Sequence, residues 1–248
     1  MPNHPPIALV VGAGDYIGAA IAKRFAAGGF QVCVGRRNFD KLQPLVNDIS
    51  SAGGTVHPFA LDARKEERIV EVFAEIEKNI GPLEIVVCNV GGNVKFPIRE
   101  TTSRVFRKVW EMATLTSFLA GREAAKYMVP RGRGSIFFTG ATASMRGGSG
   151  FSAFASAKFG TRALAQSMAR ELGPEGIHIA HLVVDAGVDT QWVRDRIRES
   201  DGEEGLANLH PDQLVRPEAI GETYWQLHHQ DRSCWTQELD IRPFMEPW

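Results

Sequence analysis

The sequence predicts a doubly wound α/β domain, a parallel sheet with helices on both faces. Three observations carry that prediction. Short apolar runs alternate with helical patterns along most of the chain, the strand-like runs are continuously apolar, and glycine turns separate each helix from the next run. A strand that is apolar on both sides is covered on both sides, and parallel neighbours need helical crossovers, which are right-handed.

Taken in order, Ile7 to Val11 reads as a strand and Ile17 to Ala27 as a helix, followed by strand Gln31 to Val34 and helix Phe39 to Ile49. Strand Val56 to Ala60 and helix Glu66 to Lys78 complete a βαβαβα unit. The rhythm continues with strand Leu83 to Cys88, a long helix around Arg104 to Met128, strand Ser135 to Thr139, a helix from about Ser152 to Leu172, and strand Ile177 to Val184. Gly28-Gly29, Gly53-Gly54, Gly81-Pro82, Gly132 to Gly134 and Gly173-Pro174 supply the turns. From Asp189 to Arg216 the pattern weakens into charges and glycines (Glu199 to Gly205), which reads as a mobile segment near the strand ends and a substrate lid over 189–216. Pro217 to His229 returns to helix, and Glu238 to Ile241 reads as a last edge strand.

The 248 residues fit one domain, 1–248. A net charge of −1 with dispersed Lys and Arg gives no footprint for nucleic acid or an anionic membrane, so the expected partner is a small molecule. Cys33, Cys88 and Cys234 are far apart and odd in number, which reads as packing thiols in a reducing compartment. With no charged-then-apolar leader and no run of about 18 apolar residues, the expectation is a soluble, cytoplasmic protein.

After the first strand, Gly12, Gly14 and Gly18 occupy a strand-to-helix turn, where backbone N–H groups can approach a pyrophosphate at a positive helix end. The spacing is not G-x-G-x-x-G, which needs glycine where Ile17 stands. From Val11-Gly-Ala-Gly-Asp-Tyr-Ile-Gly18 through Cys88-Asn-Val-Gly91 to Phe154-Ala-Ser-Ala-Lys158, the chain resembles a classical short-chain dehydrogenase/reductase over most of its length.

That resemblance implies a three-layer α/β/α Rossmann-type domain with strand order 3-2-1-4-5-6-7, a homodimer or homotetramer, and oxidoreductase activity on a carbonyl or alcohol. The small residues Ala153, Ala155, Ala157, Ala163, Ala165 and Ala169 would permit close helix approach between subunits. In the family's G-x-x-x-G-x-G register Gly12 and Gly18 match, while the middle glycine is Tyr16, whose side chain stands where it would crowd the cofactor. Gly35 falls where NAD-preferring members carry an acid, and Arg36 follows, ready to pair with a 2′-phosphate, which favours NADP(H) over NAD(H). Asp62 and Ala63 match the adenine contact, and Asn89 and Gly91 match the motif ending the fourth strand.

At the chemical end the resemblance implies a phenol that protonates the carbonyl, a serine that hydrogen-bonds it, an asparagine in a water relay, and a lysine that lowers the phenol pKa and holds the nicotinamide ribose. Those positions read Phe154, Ala141, Ala113 and Lys158, so only the lysine stands, predicted on the cleft face one helical turn beyond Phe154. The proline-glycine pair expected after the sixth strand is replaced within Val184-Asp185-Ala186-Gly187. No displaced Tyr-x-x-x-Lys exists, because Ala20, Arg131 and His228 follow Tyr16, Tyr127 and Tyr224 at that spacing. Thr142 and Ser144 could hydrogen-bond a carbonyl but are poor acids.

Other groups carry less. His228 and His229 read as packing or solvated side chains with no shared metal, and Glu203-Glu204 as loop solvation. His181, with Asp185 at the cleft mouth, leaves a hydrolase or lyase conceivable without a supporting nucleophile motif. Trp192, Trp225, Trp235 and Trp248 read as anchors of the lid or of a subunit interface. Two functions stand side by side: an NADP(H)-dependent oxidoreductase with an impaired tetrad, and a dinucleotide-binding or sensor protein without turnover.

Overall fold

The computed structural model describes residues 5–246, so Trp248 lies outside the described residues. Seven strands form one sheet: β1 (Ile7–Val11), β2 (Gln31–Arg36), β3 (Val56–Ala60), β4 (Leu83–Cys88), β5 (Gly134–Thr139), β6 (Ile177–Val184) and β7 (Glu238–Ile241). Their order is β3-β2-β1-β4-β5-β6-β7, and every neighbouring pair is parallel. Pro58 is accommodated because β3 is an edge strand, where one row of donors has no partner to serve.

Eight helices flank the sheet: α1 (Ile17–Ala27), α2 (Gln43–Ser51), α3 (Glu66–Asn79), α4 (Ser103–Trp110), α5 (Thr116–Met128), α6 (Ser152–Leu172), α7 (Gln191–Ala207) and α8 (Pro217–His228). Alternation in the strands divides the core. Ile7, Leu9 and Val11 pack with Phe73 of α3, Leu119 of α5 and Met168 of α6, whereas Ala8 and Val10 pack with Phe25 of α1 and Tyr224 of α8. Both clusters exclude water, so a side chain on either face of β1 gains roughly 1.5–3 kcal/mol from full burial if it is a large aliphatic. That double coverage explains the unbroken apolar run of β1, whereas the edge strand β3 carries His57 and Pro58 and is mostly half-buried.

Four expectations are corrected by the backbone. The long helix is interrupted: between α4 and α5 the turn Glu111–Leu115 is of π type. Thr116 Oγ1 donates to Glu111 O at 3.0 Å and Thr114 Oγ1 to Ala157 O at 2.7 Å, satisfying carbonyls in and beside this irregular turn. The second helix starts late, with a 3₁₀ turn at Asp40–Leu42 before α2. The segment read as irregular is helical over Gln191–Ala207 as α7, capped by the Thr190 side chain and kinked at Gly202 (φ 72°), so Glu203 and Glu204 are helix residues and not loop residues. Four of the six α6 alanines are used inside the chain, where Ala153, Ala155 and Ala157 form a small cluster with Val109 and Ala113 and Ala165 joins the main core, while Ala169 is half-buried and Ala163 exposed.

Side chains read from composition also separate. Cys33 and Cys88 are buried but Cys234 is exposed. Trp225 lies under the Arg24 guanidinium, Trp235 stacks on His178, and Trp192 stands exposed on α7, so they share no single surface. Ser135 Oγ pairs with His228 Nδ1 at 2.9 Å, while His229 bonds its own helix at Trp225 O.

Tyr224 links α8 to the end of β5 through its fully buried hydroxyl, 2.8 Å from Thr139 Oγ1. Tyr224→Phe strands the threonine hydroxyl in the core, and is expected to lower unfolding free energy by about 1–3 kcal/mol in urea titrations.

Candidate active site

The carboxyl ends of β1 to β4 build one hollow, and those of β5 and β6 build another. Gly12 adopts φ +90°, and a Cβ there would lie 2.2 Å from Asn89 O, so only glycine lets the turn after β1 close onto β4. Asn89 Nδ2 reciprocates by donating to Gly12 O at 3.0 Å. Gly14, by contrast, faces open space. The resulting groove, about 260 Å³, is lined by Gly12, Gly14, Gly35, Arg36, Arg37, Asp62, Ala63, Asn89 and Gly91 among others. Gly18 is not in its wall: a Cβ there would press on Gly12 O at 2.5 Å, so this glycine serves packing of α1 on the turn. Gly35 is held by Leu61, whose Cδ2 would meet a Cβ at 2.6 Å.

Charges along the groove are mostly paired. Arg36 reaches back to Asp15 inside the glycine turn, with N–O distances of 2.5 and 3.2 Å, and also donates to Lys41 O. That guanidinium holds the Asp15 carboxyl below its usual pKa. Arg64 forks onto Asp62 at 2.8 and 2.7 Å with the same effect. Arg37 forms no ion pair among the described residues. Tyr16 does not block the groove: its ring borders a separate hollow with Pro217 and Glu218, and its hydroxyl accepts from Gln191 N at the start of α7.

The second hollow, about 750 Å³, is lined by Ile17, Ala141, Thr142, Arg146, Phe151, Phe154, Val184, Val188, Trp192, Val193, Arg196 and Ile197 with several neighbours. Phe154 and Lys158 sit on α6 one turn apart as expected, and Ala141 faces the same cavity, whereas Ala113 is fully buried in the π turn. Lys158 differs from expectation. Its ammonium is buried behind the groove rim, where it donates to Thr139 O at 2.7 Å and Val90 O at 3.0 Å, with the Phe154 ring centroid 5.9 Å away. Burial pushes its pKa down to about 8. Ser144 is also spent, accepting from Ala141 N at 3.2 Å, and Thr142 is hydrogen-bonded to Asp185.

No second catalytic constellation forms at the cleft mouth. His181 is fully buried, turned to Glu238 at 3.1 Å, and burial pushes its pKa down to about 4. Asp185 is clasped by Arg146 through two 3.0 Å bonds and by Arg242 at 3.0 Å. Two signals escaped the sequence reading: the acid Asp15 inside the glycine turn, and the cavity-lining arginines Arg146 and Arg196.

Residues 6–201 match the family model for short chain dehydrogenases. The chain belongs to the short-chain dehydrogenase family. A solved short-chain dehydrogenase from Rhodopseudomonas palustris is 51% identical, with a TM-score of 0.82 over 96% of this chain and 99% of that one. A short-chain dehydrogenase/reductase of Armillaria gallica is 32% identical over 70% of this chain and 67% of its own length. A variant of actinorhodin polyketide ketoreductase with NADPH, 24% identical, shares the fold at a TM-score of 0.87 over 96% of this chain and 95% of that one. Membership makes this an oxidoreductase-family chain, and among the described residues no helix is long and apolar enough to cross a membrane.

The Lys158 placement has a thermodynamic consequence. A lysine whose folded pKa is about 8 against an unfolded value near 10.5 binds fewer protons when folded across that window, so its contribution to stability rises as pH rises from about 8 to 10.5. Denaturant unfolding at pH 7.5 and 9.5 is expected to show wild type gaining on the order of 2 kcal/mol relative to Lys158→Met.

Proposed function

We propose that the protein is an NADP(H)-dependent oxidoreductase that interconverts a carbonyl and an alcohol in the 750 Å³ cavity, by a proton path that bypasses position 154. The observation that carries this is a pair of hollows at the strand ends separated by a thin wall, with Gly91 of the groove against Lys158 and Phe154, and Phe154 and Ala141 in the cavity wall. The residues fit a dinucleotide: Gly12 and Gly14 line the groove at the turn into α1, and the open space beside Gly14 leaves room for a pyrophosphate there. Asp62 and Ala63 would hold the adenine, Asn89 and Gly91 the nicotinamide ribose with Lys158 bracing the rim behind them, and Arg36 with the unpaired Arg37 the 2′-phosphate. When bound, the nicotinamide supplies or accepts the hydride. Tyr16 and Ile17 flank this site, and Tyr16 ties the glycine turn to α7, which we read as the substrate lid. NADPH in a structural neighbour supports the cofactor choice. Phe106, Trp110, Phe118 and Phe159, each about two-fifths exposed on α4 to α6, support a homodimer or homotetramer.

Within the cavity, Ala141 and Phe154 offer the carbonyl oxygen no hydroxyl, so its proton comes from solvent or from the substrate itself. Absence of a positioned acid lowers rates by a factor on the order of 10²–10⁴. Phe154→Tyr combined with Ala141→Ser is expected to raise NADPH consumption on a bound carbonyl substrate by about that factor, followed by absorbance in single turnover. No gain would mean that the cavity does not place a carbonyl beside the groove. The same two missing hydroxyls favour the second reading, a binding protein, which predicts NADPH binding without consumption by either form.

Asp15 competes with a 2′-phosphate for the Arg36 fork. Asp15→Asn is therefore expected to tighten NADPH binding by roughly two- to fivefold, the scale of an exposed ion pair, while NADH affinity stays within about twofold. Fluorescence titration of both nucleotides decides this, and weaker NADPH binding would show that Asp15 positions Arg36 instead of competing for it.

A further inference from the structure

The substrate cavity has a charge asymmetry that its assignment as a carbonyl site does not use. Its walls are largely apolar, with Phe151, Phe154, Val184, Val188, Val193 and Ile197 among them, and no Asp or Glu lines it. Two arginines do. Arg146 is neutralised, because both prongs of its fork lie 3.0 Å from Asp185. Arg196 is not neutralised. It projects from α7 over the Trp192 ring, 4.9 Å from the centroid, and forms no ion pair among the described residues. Of the acids on the helix, Asp195 and Glu203 both pair with Arg198, and the exposed Glu199, one turn on, forms no salt bridge with Arg196.

Arg196 is exposed at the α7 wall, so its charge is partly screened there, yet with no acid in the lining it still gives this side of the cavity a positive potential that favours an anion reaching it. A planar fork matches a carboxylate with two parallel hydrogen bonds, and the exposed Trp192 face beside it suits an apolar body. The volume, about 750 Å³, falls in the range for a ligand of many heavy atoms and not for a two- or three-carbon carbonyl. We infer that the substrate is an amphipathic carboxylate: an apolar, aryl or alkyl body carrying the carbonyl or alcohol, with its carboxylate paired to Arg196 at the α7 wall. The inference rests on the reading of this cavity as the substrate site.

Calorimetric binding of 4-phenylbutanoate and of its uncharged amide, 4-phenylbutanamide, tests it in wild type, Arg196→Gln and Arg196→Lys, with NADPH affinity measured separately in each. The expected result is at least fivefold tighter binding of the carboxylate by wild type, loss of that preference in Arg196→Gln, partial return in Arg196→Lys, and a preference that shrinks with added salt. Equal binding of the two probes by wild type, a preference that survives Arg196→Gln, or binding of neither probe by protein that still takes up NADPH would overturn the inference and leave the cofactor reading standing. A carboxylate preference in a protein that binds no NADPH would uphold the inference and overturn the cofactor reading alone.

Discussion

The buried ammonium of Lys158 is the constraint around which the site is arranged. A cation taken out of water persists only where acceptors replace its hydration, and here the acceptors are main-chain carbonyls of Val90 and Thr139, just past β4 and at the end of β5. Sheet register fixes those ends, with Cys88 opposite Phe138. Val90 and Gly91 border the groove, whereas Gly140 and Ala141 border the cavity, so one side chain ties the rim of the first hollow to the floor of the second. Phe154 contributes from the other side. Its ring lies 5.9 Å from the ammonium and excludes water from it, so a residue with no proton to give still shapes the site.

The fold was legible because its signal is distributed. The strands β1 to β6 are mostly apolar runs, broken by His57 and Pro58 in β3 and by two histidines in β6, and misplacing one boundary, such as the late start of α2, changes nothing in the topology. The π turn at Glu111–Leu115 was illegible, since its register depends on Thr114 and Thr116 reaching carbonyls that only the folded neighbours present. Helix α7 was illegible for a related reason. Its charges satisfy one another at helical spacing, as Asp195 with Arg198, and this imitates a solvated loop when only composition is read. At the site, identities were legible and directions were not. Gly12 had to be glycine, yet nothing local says that Tyr16 swings to α7 or that Lys158 turns inward to two carbonyls.

Ion pairing supplies the missing directional information. Arg36, Arg64 and Arg146 each sit where a ligand charge could be met, and each is already forked onto an aspartate. Exposed pairs of this kind are weak and exchange with solvent or ligand at small cost, whereas Arg146 faces a carboxylate that is almost fully buried and also held by Arg242. Opening that cluster would leave Asp185 uncompensated in the interior. Arg146 therefore reads as a fixed wall that anchors the segment after Ala141, while Arg36 is an exchangeable contact, and the unpaired Arg37 and Arg196 are the cations free to meet a ligand without breaking an ion pair.

On the proposed reading, the hydroxyls that Ala141 and Phe154 do not supply would both act on a single atom, which makes their joint absence more informative than either alone. A carbonyl oxygen reduced between Ala141 and Phe154 gains negative charge against a methyl group and an aromatic ring, neither of which donates a hydrogen bond. Ser144 and Thr142 cannot turn to it without abandoning Ala141 N and Asp185. Microscopic reversibility extends the penalty to alcohol oxidation, because the departing proton meets no base on the same path. On that reading both directions would be slow unless the substrate brings its own donor to that oxygen or the cavity admits water there. The inferred anionic substrate would favour the second route: its carboxylate would stay at the outer wall with Arg196, away from the developing alkoxide, and its apolar body need not seal the space beside Ala141.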